Sequence, residues 1–470
     1  MFIVVGMPFS LRPKRRFSLG PWMRGTLLTS ATVSALLATM AWLKSDLAMA
    51  PEQILDHPLL SAVDDAKSLD DLYAVRSQLQ ARLEETPRPQ SFSINATDSS
   101  YVLLSQLTYG LTQKIARERD AAASLRLAQE LGEKASQQPE GSDLKAQLET
   151  EKLWKEAIAS LDAIDEGSMF YDRAQTVRSE YATAVAPLSQ RIDQQQSAFL
   201  EPIAAERGRA SDVRIAVCQL DSSECRSYRG NEPPASLASL VKLPMAIALM
   251  HKVNTEDISL DDEIYIEPAN FTENAQGSKI FVDRTYTLRE VMVRMITESN
   301  NIATNQLADY IGFSDINQAL KAEGYGSTTI GHKLVGDSTF PKFMGSGKNR
   351  STANELTQMM KRIYSFSKAS DEEILNGLVG QYDLEFGYTA LTREKPNIFW
   401  IGEKTGQNSL VIGSSMAFKV KDDRYVMTVT IDRSAHQGRL KQIIRDVARA
   451  ILEMGSLEEQ GLPQTEPATS

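Results

Sequence analysis

Apolar and polar positions along the chain follow two regimes that meet near residue 206. Before that point apolar residues recur at helical spacing. Residues 68–83 and 101–135 are periodic stretches separated by a polar loop around 87–99. A third stretch carries Leu153, Trp154, Ala157, Ile158, Leu161 and Ile164, then Gly167, then Phe170, Tyr171, Ala174, Val177 and Tyr181, which predicts helix, short turn, helix. Residues 190–196 are polar but compatible with a helix, so they can connect the two regimes. Beyond 206 the pattern is mixed. Residues 213–220 and 226–228 predict a hairpin, and strands are predicted again at 399–403, 410–421 and 425–432, before a last helix at 439–453. Between them lie mostly helices. Thr287 with Glu290 forms a capping box opening 291–297, 302–310 ends near Gly312, and Thr352 with Glu355 caps 356–366. Strands at both ends and helices between predict an α/β (α+β) domain of two lobes over 206–455, in which both ends build one antiparallel sheet around an inserted helical lobe. A cleft is expected at their seam. An all-α region, 51–205, precedes it, and 456–470 are expected to be a disordered tail.

The most apolar stretch is 234–253. Leu237, Leu240, Val241, Leu243, Met245, Ala246, Ile247, Leu249, Met250 and Val253 leave no polar stripe, so this helix is expected in the middle of the domain. Pro244 predicts a kink or a tight first turn. At i and i+3, Ser239 and Lys242 share one face. Burial would depress the lysine pKa, making Lys242 a proton acceptor for Ser239, and a helix N-terminus favours negative charge beside the serine. Alone, the pattern also fits a buried helix with a lysine that snorkels out, and it recurs at Ser142 to Lys145 and Ser365 to Lys368.

At 470 residues two or three folded units are expected. The 51 basic and 61 acidic residues give a net charge of −10, which argues against a nucleic-acid partner held by bulk electrostatics. Residues 1–50 differ from the rest: Arg12, Lys14, Arg15, Arg16 and Arg24 precede a mostly apolar run, 26–43, and Ala48, Met49 and Ala50 look like a cleavage site. They predict a signal peptide, or a membrane anchor if uncleaved, with the chain exported to a periplasmic or other extracytoplasmic space and either anchored or released. The two cysteines, Cys218 and Cys225, flank a predicted turn, and either a disulfide or two buried thiols fits. His57, His251, His332 and His436 are too scattered for metal-ligand spacing, and no cofactor is expected. The helix-turn-helix at 153–181 resembles one tetratricopeptide-type unit; a small bundle or a stalk is the plainer reading, and a protein partner on this region is the matching expectation.

Two further triplets give Ser239 and Lys242 their context. Ser299, Asn300 and Asn301 fall at a helix-to-helix junction, and Lys404, Thr405 and Gly406 at the end of a late strand. The ordered set Ser-x-x-Lys, Ser-x-Asn, Lys-Thr-Gly resembles the signature of penicillin-recognising serine enzymes, with the spacing of class A β-lactamases. Ala235 and Ser236 before the first motif, and Asn301, Ile302, Ala303, Thr304 and Asn305 in the second, match as well. The resemblance covers about 206–455. It implies Ser239 as the acylated nucleophile, with Lys242 as its base or part of a proton relay. Ser299 would pass the proton to the leaving nitrogen and Asn301 would hold Lys242 and the substrate amide. Lys404 and Thr405 would bind a substrate carboxylate, and Gly406 would let substrate lie against the strand. The backbone N–H groups of Ser239 and Gln407 would form the oxyanion hole.

Two departures qualify what the resemblance implies. Asn300 stands where class A has Asp. The stretch 331–352, where class A carries the glutamate that activates the deacylating water, contains no Glu and only Asp337 as an acid. The expected function is an exported serine hydrolase acting on β-lactams or a related amide through a Ser239 ester. A penicillin-binding peptidase of cell-wall peptide, or an esterase-like enzyme that deacylates β-lactams poorly, is the alternative within this class. A non-catalytic cell-wall sensor or scaffold is the alternative outside it.

Overall fold

The computed structural model describes residues 58–88, 96–139, 143–222, 224–274, 277–394, 396–433, 437–455 and 457. The expected export segment, with its apolar run at 26–43, and nearly all of the expected tail lie outside the described residues, as do His57 and His436. Among the described residues no helix is long and apolar enough to cross a membrane. The described residues form two compact units, one within 1–130 and 157–179, the other within 131–156 and 180–470.

The first unit is helical. Its chain enters through α1 (Pro58–Asp64) and α2 (Leu69–Glu85), the latter started by Ser68, whose hydroxyl accepts from Asp71 N. Leu72, Val75 and Leu79 at helical spacing pack on Leu111 and Ile115 of α3 (Ala96–Ser136). The buried Glu118 carboxylate accepts from Ser168 Oγ at 2.7 Å and Met169 N at 3.1 Å. Two more long helices, α4 (Leu144–Asp162) and α5 (Tyr171–Ser197), contribute residues 157–162 and 171–179 to this unit and their remaining residues to the second.

In the second unit, α6 (Leu200–Ala205) leads into β1 (Val213–Gln219) and β2 (Cys225–Tyr228). A 3-10 turn, Ala238–Val241, feeds α7 (Lys242–Glu256), ten of whose residues are buried. Pro244 is accommodated because the first helical turn has N–H groups without intrahelical acceptors, so a missing one leaves no gap; the turn is tight and the helix continues. The helical lobe holds a two-stranded sheet, β3 (Glu263–Ile266) with β4 (Arg284–Thr287). It continues through α8 (Leu288–Thr297), α9 (Asn301–Ile311), α10 (Phe313–Ala322), α11 (Ala353–Tyr364), α12 (Asp371–Val379) and α13 (Gly387–Leu391). The chain then returns as β5 (Ile398–Gln407), β6 (Val411–Val420) and β7 (Asp423–Asp432), and ends in α14 (Gln437–Met454).

The main sheet has the order β2-β1-β7-β6-β5 and is antiparallel throughout, so both ends of the domain build it around an inserted helical lobe. Its faces bury separate cores. On one side α7 to α12 pack around Leu240, Ile247, Met295 and Met360; on the other α6, α13 and α14 pack on Ile215, Met416 and Val429. All seven residues of β1 are buried, as befits a strand covered on both faces. β5 runs four residues beyond its expected end because Gln407 still pairs with Ile412, so Lys404, Thr405 and Gly406 lie inside the strand.

Candidate active site

Ser239 lies in the 3-10 turn that α7 continues. The residue before it, Ala238, holds φ at 45°, a left-handed conformation that an alanine adopts only under constraint. Part of that constraint is visible across the sheet. A Cβ on Gly406 would meet Leu240 N at 2.9 Å and Leu237 O at 3.1 Å, so the glycine lets β5 press against the backbone of the Ser239 turn.

Lys242 opens α7 and is fully buried. Its Nζ has four partners: Ser239 Oγ at 3.0 Å, Ser299 O at 2.6 Å, Ser299 Oγ at 3.0 Å and Asn301 Oδ1 at 2.7 Å. Burial, and secondarily the nearby Lys404, hold this amine's pKa well below the ordinary lysine value. The partner set suits a neutral amine. The Ser299 carbonyl and the Asn301 Oδ1 can only accept, so they take the two N–H bonds, and the lone pair is left for a hydroxyl proton.

Ser299 sits between α8 and α9 with φ at 54°. Its neighbours fix the junction. Glu298 is buried, accepting from Arg294 Nη1 at 2.5 Å and Lys279 N at 2.8 Å. Asn300 caps α9, its Oδ1 accepting from Ala303 N at 2.8 Å. An amide therefore does here the capping for which a carboxylate would also serve. Asn301 N donates to Asn274 Oδ1 at 2.6 Å, and Asn301 Nδ2 donates to Glu273 O at 2.8 Å.

From β5, fully buried Lys404 sends its Nζ to Ser299 Oγ at 3.2 Å and Thr405 O at 2.9 Å. Burial lowers its pKa to about 8, against the opposing pull of Asp383 and Glu403. Glu403, the preceding residue, points to the other face of the strand. It too is fully buried, accepting from Ser414 Oγ at 2.6 Å, Gly387 N at 3.0 Å and Tyr388 N at 3.1 Å, and burial raises its pKa.

One hydrogen-bonded chain thus joins Ser239, Lys242, Ser299, Asn301 and Lys404. Thr405 enters through its carbonyl, Gly406 through packing, and Gln407 stands exposed at the end of β5. Cys218 and Cys225 form a disulfide between paired positions of β1 and β2. Sequence reasoning missed Glu273, Asn274 and Glu403. The first two belong to a loop without periodicity, and Glu403 sits in a strand pattern that gave no sign of a buried charge. Among the described residues no group of three or more His, Cys, Asp or Glu could hold a metal ion.

A family model described as the β-lactamase enzyme family matches residues 191–454. A β-lactamase from Bacteroides uniformis is 27% identical over 207 residues, 43% of this chain and 69% of that protein. One from Citrobacter koseri is 25% identical over 293 residues, 58% of this chain and 94% of that protein. Among solved structures, a β-lactamase from Sphaerobacter thermophilus aligns with a TM-score of 0.46 and 21% identity, covering 58% of this chain and 99% of that one.

Proposed function

The chain belongs to the β-lactamase enzyme family and is a serine hydrolase, and on that premise we propose that it cleaves a β-lactam or a related amide through an ester on Ser239. The observation that carries this reading is the four-partner setting of Lys242, which leaves a lone pair for the Ser239 proton. Ser239 Oγ gives its proton to Lys242 Nζ and forms a bond to the substrate carbonyl carbon. The backbone N–H groups of Ser239 and Gln407 receive the developing oxyanion. As the carbon–nitrogen bond breaks, the proton passes from Lys242 through Ser299 Oγ to the leaving nitrogen. Protonated Lys404, with Thr405, holds a substrate carboxylate, and Asn301 holds the substrate amide as well as Lys242.

Deacylation is the slower step in this reading. No carboxylate is among the partners of Lys242, and the stretch 331–352 supplies only Asp337. That leaves Lys242 to take the proton of a water attacking the ester, which favours a long-lived acyl-enzyme. Export is part of the proposal, supported by the basic flank and apolar run of residues 1–50 and by the Cys218–Cys225 disulfide, a bond that persists in oxidising compartments.

Intact-protein mass spectrometry after mixing with a penicillin tests both parts. We expect the chain to gain the full mass of the penicillin and keep it, and the Ser239→Ala variant to gain nothing. Absence of adduct and of penicillin consumption would remove the acylation reading. Rapid consumption without a standing adduct would keep it and overturn the slow deacylation.

A further inference from the structure

Asn301 can serve Lys242 in only one of its two amide orientations. With Oδ1 towards Lys242 Nζ, the amide takes an N–H bond and leaves the lysine lone pair free. Turned over, it would aim an N–H donor at that lone pair and compete with the Ser239 proton. The choice is made on the far side of the amide, where Asn301 Nδ2 donates to the carbonyl of Glu273 at 2.8 Å, an acceptor with no donor to offer. Asn274 holds the same corner, its Oδ1 accepting from Asn301 N at 2.6 Å and Ile302 N at 3.3 Å.

Something must hold Glu273, which is on an exposed loop. Its carboxylate closes on a turn of the neighbouring loop: Oε2 accepts from Asp337 N at 3.1 Å, and Oε1 accepts from Ser338 N at 3.1 Å and from the Ser338 hydroxyl. The fit is close. Gly336 N donates to Thr272 Oγ1 at 3.0 Å, and a Cβ on Gly336 would meet the Glu273 side chain at 2.5 Å. With its acceptor sites engaged by Ser338 first and then by the two backbone N–H groups, the Glu273 carboxyl titrates below its usual range, which makes it a poor base and a firm anchor.

We propose that Glu273 is a positioning residue for acylation: by gripping the 336–338 turn it keeps its own carbonyl against Asn301 Nδ2, and so keeps Asn301 Oδ1 on Lys242. In this way 331–352, which has no glutamate of its own, is tied to the site by a carboxylate from the loop beside it. The proposal rests on Lys242 acting as the base for Ser239.

The test is the rate of acylation by a fluorescent penicillin, followed against pH for the full chain and for Glu273→Ala, Glu273→Gln, Ser338→Ala and Asp337→Ala. Lys404 is the other titrating group beside Lys242 and is untouched in all four variants. We expect Glu273→Ala to lower the maximal rate at least about tenfold, the scale of one charge-assisted hydrogen bond. We also expect its acidic limb to move to lower pH, because a turned Asn301 no longer accepts from the protonated lysine. Glu273→Gln, whose amide oxygen can still accept from the turn, should recover most of the rate. Ser338→Ala should fall between them, and it replaces Glu273→Ala as the deciding variant if the latter does not fold. Asp337→Ala, which keeps the backbone donor, should match the parent. Equal rates across the set, or a lower rate with the acidic limb unmoved, would overturn the proposal. A parent chain that is not acylated at any pH would instead overturn the role of Ser239 and Lys242 on which it stands.

Discussion

Two fully buried lysines meet at one hydroxyl, that of Ser299, and they must carry different charges for the proposed chemistry. Burial depresses both, and the Lys404 charge lowers the proton affinity of Lys242 further. Lys242 acts when neutral, so acylation rises with pH as its depressed pKa is passed. Lys404 acts when protonated, so the rate falls again as pH passes about 8. The expected profile of acylation rate against pH is a bell with its alkaline limb near 8; a rate that stays flat from about pH 5 to 10 would contradict both assignments. Ser239, Lys242, Ser299, Asn301 and Lys404 were legible in the sequence because residue type, order and spacing all pointed the same way. Glu273 and Asn274 were not, since a carbonyl that orients an amide leaves no trace in residue type. Nor was the strain at Ala238 and Ser299, which depends on what the chain is pressed against.

Among the elements, the loop facing the site has little regular structure and is held by side chains that imitate backbone. Asn305 pairs with both polar groups of Leu334, its Oδ1 accepting at 2.7 Å and its Nδ2 donating at 2.9 Å. Asn317 does the same for Ile330, and Asn349 Oδ1 accepts from Gly331 N and His332 N. Beneath them fully buried Lys333 pairs with Asp309 of α9 at 2.7 Å and donates to Lys342 O at 2.9 Å. Removing Asp309 strands the buried Lys333 charge, whereas the Asp309 carboxylate is itself partly exposed. Asp309→Ala is expected to destabilise the domain by about 3 kcal/mol, measured by chemical denaturation, whereas Lys333→Met should cost much less because no charge remains buried. The caps at Thr287 and Thr352 were readable because a capping box is local in sequence. The amide pairs bridge separations that no local pattern encodes, and α10 and α12 went unassigned for lack of comparable start signals.

At the scale of the molecule, the order β2-β1-β7-β6-β5 makes the site depend on distant segments. The turn with Ser239 and the strand with Lys404 are registered by Gly406 against Leu240, by the hydrogen bonds of both lysines to Ser299 Oγ, and by β5 through β6 and β7 to β1. We therefore expect penicillin acylation and the fluorescence of Trp400, in β5, to be lost at the same denaturant concentration; loss of acylation well before the Trp400 change would show that the turn unfolds separately. The sequence indicated that both ends build the sheet, because predicted strands at 213–220 and 399–432 flank a stretch that is mostly helical. It did not indicate which strands are neighbours, because burial on both faces erases the polar pattern that distinguishes a central strand from an edge.

The pairing of β1 with β7 also sets a schedule for the growing polypeptide. Seven residues from Val213 to Gln219 wait for partners at 425–431, and nearly all of the domain lies between them. A chain still being made has its nucleophile long before it has the strand that completes the sheet, so the hydrolase is inert along the whole route of its synthesis. Loop closure of that length is slow, and until it occurs β1 is an apolar strand with one open edge. If the chain is exported, its passage across a membrane and the assembly of its active site are successive events, and a nascent or unfolded copy poses no threat to amides in the compartment where it is made.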